Sequence, residues 1–195
     1  MGISIHFKGH LRTKASLISL IEEVTDIVKI YQWPYKIFET AFPSNSFGKK
    51  KNDNGLYGIS FTPPECETIS LCFLSSGKLT SVLAWHLFIK RQGKEKEILD
   101  DWVSVKTHFA GEPIHKLVIH LLDHLSKKYF RHFKLSDEGL YWETRDETLL
   151  HQKFNFLNGW MDSLTGALET DPMKSGEPIE KYFERILKNI HFPKS

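Results

Sequence analysis

Cysteine is scarce in this chain, with 2 among 195 residues. Cys66 and Cys72 form neither a Cys-x-x-Cys metal signature nor a disulfide framework, which fits a reducing compartment. No apolar run approaches membrane-spanning length. The opening Met-Gly-Ile-Ser-Ile-His-Phe-Lys-Gly-His has no basic start followed by an unbroken apolar stretch, as an export signal needs, and His6 stands where a myristoylation signal after Gly2 wants Ser or Thr. These absences predict a cytoplasmic protein with no membrane partner.

An excess of one charge is also missing: 26 basic residues face 24 acidic ones, a net charge of +2. Such a balance provides no overall field for nucleic acid, so generic polyanion binding is disfavoured and only a local patch remains open. No glycine-rich phosphate cradle follows a strand and opens a helix, which argues against the common nucleotide-binding folds. A Gly-x-Ser-x-Gly nucleophile elbow is absent, and Cys72 alternates with apolar residues in a strand, where a buried thiol is inert.

Core-forming residues are abundant. The chain is 41% hydrophobic, with 14 Phe and 5 Trp, enough to offset ordering entropy without disulfides or metals. A single α+β domain over 1–195 is expected, with a flexible loop near 44–55 and a C-terminal helix near 178–191. Ile3, Ile5 and Phe7 alternate with Ser4, His6 and Lys8, the period of a half-buried strand. Leu17, Leu20, Ile21, Val24, Ile27, Val28 and Tyr31 follow a helical stripe that Pro34 closes. Strands are predicted over 35–42, 56–61, 69–74 and 79–89, with Ser75-Ser76-Gly77-Lys78 as a hairpin turn joining the last two.

A charged turn over 90–97 leads to a strand over 102–109, with Trp102, Ser104, Lys106 and His108 on one face and Val103, Val105, Thr107 and Phe109 on the other. Ile114 to Leu125 carry the stripe of a second helix, which Tyr129 and Phe130 extend. Ser136 to Gly139 reads as a turn and 140–143 as a short strand. Thr144 to Glu147 reads as a capping box for a helix bearing Leu150, Phe154, Leu157 and Trp160. Strands and helices are segregated along the chain. That order predicts an antiparallel, mainly meander sheet of about five to seven strands with helices packed on one face. Because 79–89 looks apolar on both sides, a homodimer is one way of covering the sheet.

Three constellations carry candidate chemistry. His120 and His124, four apart on a helix, point the same way and have the spacing of a zinc pair, with Asp137, Glu138 or Glu143 as a third ligand or base. Leu121 occupies the position at which zincin proteases place their general base, and both histidines lie on the polar shoulder beside Lys116 and Lys127, where solvated residues sit. The second is the acidic-aromatic segment Asp137, Glu138, Tyr141, Trp142 and Glu143, where a carboxylate beside an aromatic ring can acquire the raised pKa of a general acid. Turn formation and helix capping also account for most of those carboxylates. Lys49, Lys50 and Lys51, near Phe47 and Tyr57, form a third, weaker candidate for phosphate and base contacts.

The stretch from Tyr129 to Leu150, with its Asp-Glu-Gly turn and Tyr-Trp-Glu-Thr segment, resembles a group of small bacterial proteins of uncharacterised function. That resemblance implies a bacterial cytosolic domain and brings no activity with it. The expectation is a non-enzymatic binding or interaction protein, with no cofactor, that engages a protein or peptide through Asp137, Glu138, Tyr141, Trp142 and Glu143. A metal-dependent hydrolase using His120 and His124, with zinc or another transition metal, and a nucleic-acid accessory protein are the alternatives.

Overall fold

The computed structural model describes residues 2–49, 54–91 and 102–189. They fall into two compact units, Met1–Arg145 and Asp146–Ser195. In the first unit the elements run β1 (Ser4–Leu11), α1 (Ser16–Ile30), β2 (Tyr35–Ile37), β3 (Tyr57–Phe61), β4 (Ile69–Phe73), β5 (Leu79–Thr80), α2 (Val82–Lys90), β6 (Val103–Lys106), α3 (Gly111–Tyr129), β7 (Phe130–Asp137) and α4 (Tyr141–Thr144).

This is an α+β architecture with two antiparallel sheets. β2, β3, β4 and β5 form a four-stranded meander in chain order, and β1 lies between β6 and β7 in a three-stranded sheet. The two sheets meet where the far end of β1 passes the β4–β5 hairpin: His10 bridges Lys78, and the Leu11 N–H donates to the Gly77 carbonyl at 2.9 Å. Gly77 has φ 85°, the left-handed conformation that this turn requires.

Strict alternation along β1 decides which side of the three-stranded sheet is core. Ile3, Ile5, Phe7 and Leu11 are buried, while Ser4, His6, Lys8 and His10 face the other way. The apolar stripe of α1 buries Leu17, Leu20, Ile21, Val24 and Val28, and that of α3 buries Val118, Ile119, Leu121, Leu122 and Leu125. Trp33, just beyond α1, stacks on Phe61 of β3 with ring centroids 5.9 Å apart. β3 and β4 are buried throughout, so both faces of that hairpin are covered. Gly58 in β3 has φ 120°, and a Cβ there would lie 2.3 Å from the Leu71 carbonyl oxygen, so the close strand approach depends on glycine.

Several sequence expectations need correction. The long strand expected over 79–89 is a two-residue strand followed by α2, which Ser81 starts by accepting the Ala84 N–H at 3.0 Å. The expectation of a second copy covering an apolar strand there therefore has no strand to rest on. Phe130 begins β7 rather than extending α3, because pairing with β1 over Ile5 to Leu11 competes successfully with further helix. The segment 140–143, expected as a strand, contributes to one turn of helix held between Leu140 (φ 60°) and Arg145 (φ 56°). The sheet is thus a four-strand meander plus a separate three-strand sheet, not one continuous meander. The turn expected over 90–97 lies mostly outside the described residues. Among the described residues no helix is long and apolar enough to cross a membrane.

The second unit contains α5 (Glu147–Thr170) and α6 (Ile179–Asn189). Asp146, not Thr144, caps α5, accepting the N–H groups of Thr148 and Leu149 at 2.8 and 3.1 Å. Arg185 of α6 binds Glu177 at 2.8 Å and also Asp171, tying the connection between the two helices.

Candidate functional site

The residues singled out along 137–143 come together, largely in structural roles. Asp137 ends β7 and is buried. It accepts the Gly139 N–H at 2.7 Å and the Trp142 N–H at 3.0 Å, bonds that hold the turn into α4. Its oxygens lie 3.1 and 3.2 Å from His115 Nε2, and His115 Nδ1 lies 2.7 Å from the Thr107 hydroxyl. All three residues are buried. Burial acts to raise the Asp137 carboxyl, but the His115 hydrogen bond and charge, with the Trp142 and Gly139 N–H groups, outweigh it and hold the acid below its ordinary value. A raised pKa, as expected for a general acid in this segment, is therefore not what Asp137 has.

Tyr141 is buried and its hydroxyl lies 3.2 Å from His120 Nε2, while Trp142 is half-buried with Arg145 over its ring at 5.2 Å. Glu143 is exposed on α4. The histidine pair on α3 is divided between partners, with His120 on Tyr141 and His124 Nε2 2.6 Å from Glu23. Burial acts to raise Glu23, but hydrogen bonds from Lys128, Tyr129 and His124 bring it down to about 2. No group of three or more His, Cys, Asp or Glu side chains suited to a metal ion occurs among the described residues. Lys49 is exposed, whereas Lys50 and Lys51 lie outside the described residues.

A different surface gathers chemistry. The face of the three-stranded sheet turned away from the core gathers basic side chains, half-buried on β1 and exposed on β7. Lys8 stands directly opposite Lys134, and His10 opposite Arg131 on one side and Lys78 on the other. Lys106 projects from the same face of β6, and Lys8 Nζ sits 4.4 Å from the centre of the Trp102 ring, which is 37% exposed. Burial, then the positive fields of Arg131, Lys78 and His132, push the His10 imidazole below its ordinary value. Like charges directly opposite one another destabilise a sheet. Lys8 and Lys134 are of that kind, and Arg131 and Lys78 flank the neighbouring His10.

At one end of this face, side chains from three places in the chain line up. His6 Nδ1 lies 2.8 Å from Ser104 Oγ, and His6 Nε2 lies 3.3 Å from Glu138 Oε1. The other Glu138 oxygen accepts the Ser4 N–H at 2.8 Å, and the Glu138 N–H donates to the Ser4 carbonyl at 3.1 Å, so the carboxylate is fixed by β1 itself. Ser104 also lines a cleft of about 760 Å³. Ser60, Ser70, Thr68 and Lys36 contribute polar lining to it, and Val82, Leu83 and Leu87 of α2 contribute apolar lining.

Half of this arrangement is visible in sequence, as the polar positions Ser4, His6, Lys8 and His10 of β1 and Trp102, Ser104 and Lys106 of β6. The other half is the registration of strands, which places Ser104 beside His6 across 98 positions of chain. No local motif records that. No family model, curated protein or solved structure matches this chain.

Proposed function

We propose that this is a binding protein whose three-stranded sheet takes a single-stranded nucleic acid on the face turned away from the core. The observation that carries the reading is the cross-strand ladder of cations, Lys8 directly opposite Lys134, with Arg131 and Lys78 on either side of His10 and Lys106 on β6. A sheet gains nothing in stability from that arrangement, whereas an extended phosphodiester backbone lying across it would neutralise every member. Trp102, at the edge of the ladder, supplies a ring on which a base can stack, and stacking is tolerant of sequence. The net charge of +2 does not oppose this reading, because it averages a basic face with acidic positions elsewhere, such as Glu22, Glu23 and Asp26 on α1.

The five cations Lys8, Lys78, Lys106, Arg131 and Lys134 set the expected salt dependence. With single strands releasing about 0.7 counterions per neutralised phosphate, log K should fall with log salt at a slope of about −3.5. The test is fluorescence anisotropy of a labelled 12-nucleotide oligouridylate titrated with the whole protein at several salt concentrations. Binding that weakens steeply with salt, and is lost in a Lys8→Glu, Arg131→Glu double variant, supports the reading. A flat salt response, or equal binding by the variant, overturns it.

A further inference from the structure

The row Ser104, His6, Glu138 has the connectivity of an activated nucleophile: a hydroxyl bonded to an imidazole, and the imidazole bonded at its other nitrogen to a carboxylate that is itself held in place. Three features separate it from an ordinary row of polar side chains. The Glu138 carboxylate is fixed by the Ser4 N–H, so it can set the tautomer and orientation of His6. The His6 side chain keeps 31% of its exposure and Glu138 48%, so water reaches the base. Ser104 opens onto the cleft between α2 and the sheet rather than into bulk solvent alone.

The backbone adds a fourth element. In the β1–β6 pairing the Thr107 N–H donates to Ile3, so Val103, Val105 and Thr107 turn their N–H groups toward β1. The N–H groups of Ser104 and Lys106 consequently point outward from the edge. Lys106 gives its own to Glu67 Oε2 at 2.8 Å, which confirms the direction. The Ser104 N–H thus leaves the strand on the side where Glu67 and Thr68 line the cleft, within the same residue as the nucleophile.

We propose that Ser104, His6 and Glu138 form an acyl-transfer site opening onto this cleft, with esters of small apolar acyl groups as its substrate class. Phe38, Val82, Leu83, Leu87 and Trp102 provide the apolar lining for such an acyl group. As Ser104 Oγ bonds to the ester carbonyl carbon, its proton passes to His6 Nδ1 and the carbonyl electron pair moves onto oxygen, where the Ser104 N–H can donate to it. Glu138 remains ionised and stabilises the imidazolium. The tetrahedral species collapses, the ester C–O bond breaks, and the leaving alkoxide takes the proton from His6 to depart as an alcohol. Water, deprotonated by His6, then attacks the acyl carbon. The carboxylic acid leaves, and Ser104 recovers its proton. The net reaction is ester plus water to acid plus alcohol. It does not depend on the nucleic-acid reading, since none of the five cations takes part and the two sites share Trp102 alone.

An alkyl fluorophosphonate probe tests it on the whole protein. Ser104 Oγ would displace fluoride from phosphorus, and the expected result is one adduct per chain, mapped by peptide mass spectrometry to Ser104. Labelling should vanish in Ser104→Ala and slow by about a hundredfold or more in His6→Gln, the usual range for loss of a general base. Hydrolysis of p-nitrophenyl butyrate should fall in parallel. Absence of an adduct in the wild-type protein, which needs no variant to fold, overturns the proposal. So does an adduct on another serine, or labelling of Ser104 at an unchanged rate in a His6→Gln protein with a wild-type melting temperature.

Discussion

Replacing Lys134 with Glu should make the protein more stable and a poorer binder at once. Lys134 stands opposite Lys8 across β1 and β7, and is exposed. With the two ammonium groups splayed to roughly 7 Å, their repulsion in water is about 0.6 kcal/mol. Reversing one sign turns that cost into a similar gain, a swing of about 1 kcal/mol at low ionic strength and about half of it at physiological salt, within the range measured for cross-strand pairs. For a chain of this size the melting temperature should rise by about 2–4 °C at low salt. The same change removes one phosphate contact and adds a repulsive one, a loss of about tenfold or more in affinity at low salt. The salt slope should become shallower by about 0.7. Thermal unfolding by circular dichroism and anisotropy titration on the same samples measure both. A Lys134→Glu protein that melts lower than wild type, or that binds with an unchanged salt slope, would refute the idea that this ladder of charge is held against stability for a ligand.

Asp137→Ala leaves the buried His115 without its carboxylate partner and strands the Gly139 and Trp142 N–H groups, so unfolding in urea should show a loss of about 3–5 kcal/mol. A loss below about 1 kcal/mol would mean that the Thr107, His115 and Asp137 cluster is not structural. Asp137 and Glu23 are both held below their ordinary values, Glu23 at about 2. Their contribution is therefore complete above their unfolded values near 3.8 and 4.5, and is lost as pH falls through the folded ones. Stability measured from pH 6 downward should begin to drop below about 4.5, and Glu23→Gln should flatten part of that drop. Burial, aided by the charge of Glu67, pushes the Cys66 thiol up to about 12, and burial pushes Cys72 up as well. Neither should be alkylated by iodoacetamide at pH 8 until the chain is unfolded, and labelling of the native protein at the rate of a free thiol would contradict that placement.

Elements with a clean period were legible in the sequence: the alternation of β1, the stripes of α1 and α3, and the Ser-Ser-Gly-Lys hairpin. α2 was not, because Val-Leu-Ala-Trp-His-Leu-Phe-Ile is apolar almost throughout and equally suited to a strand, with only the Ser81 cap pointing to helix. α4 is a single turn of β-favouring residues enforced by two left-handed residues, a conformation that propensity does not anticipate. β7 follows α3 with no glycine or proline between them, and only its pairing with the distant β1 makes it a strand. The site was hidden for the same reason. Composition showed balanced charge, and the basic face emerges only when Lys8, Lys78, Lys106, Arg131 and Lys134 are brought together by strand register. Glu138 belongs in sequence to the acidic-aromatic segment, and only the fold shows that its carboxylate lies beside His6.

The most direct test of the binding face is photo-crosslinking of a 4-thiouridine oligonucleotide to the whole protein, followed by mass spectrometry of the crosslinked peptides. The account predicts crosslinks at Trp102 and along β1 and β7, suppressed by unlabelled oligonucleotide and by high salt. Crosslinks confined to the lysine loop at Lys49, or spread evenly over the surface, would contradict it.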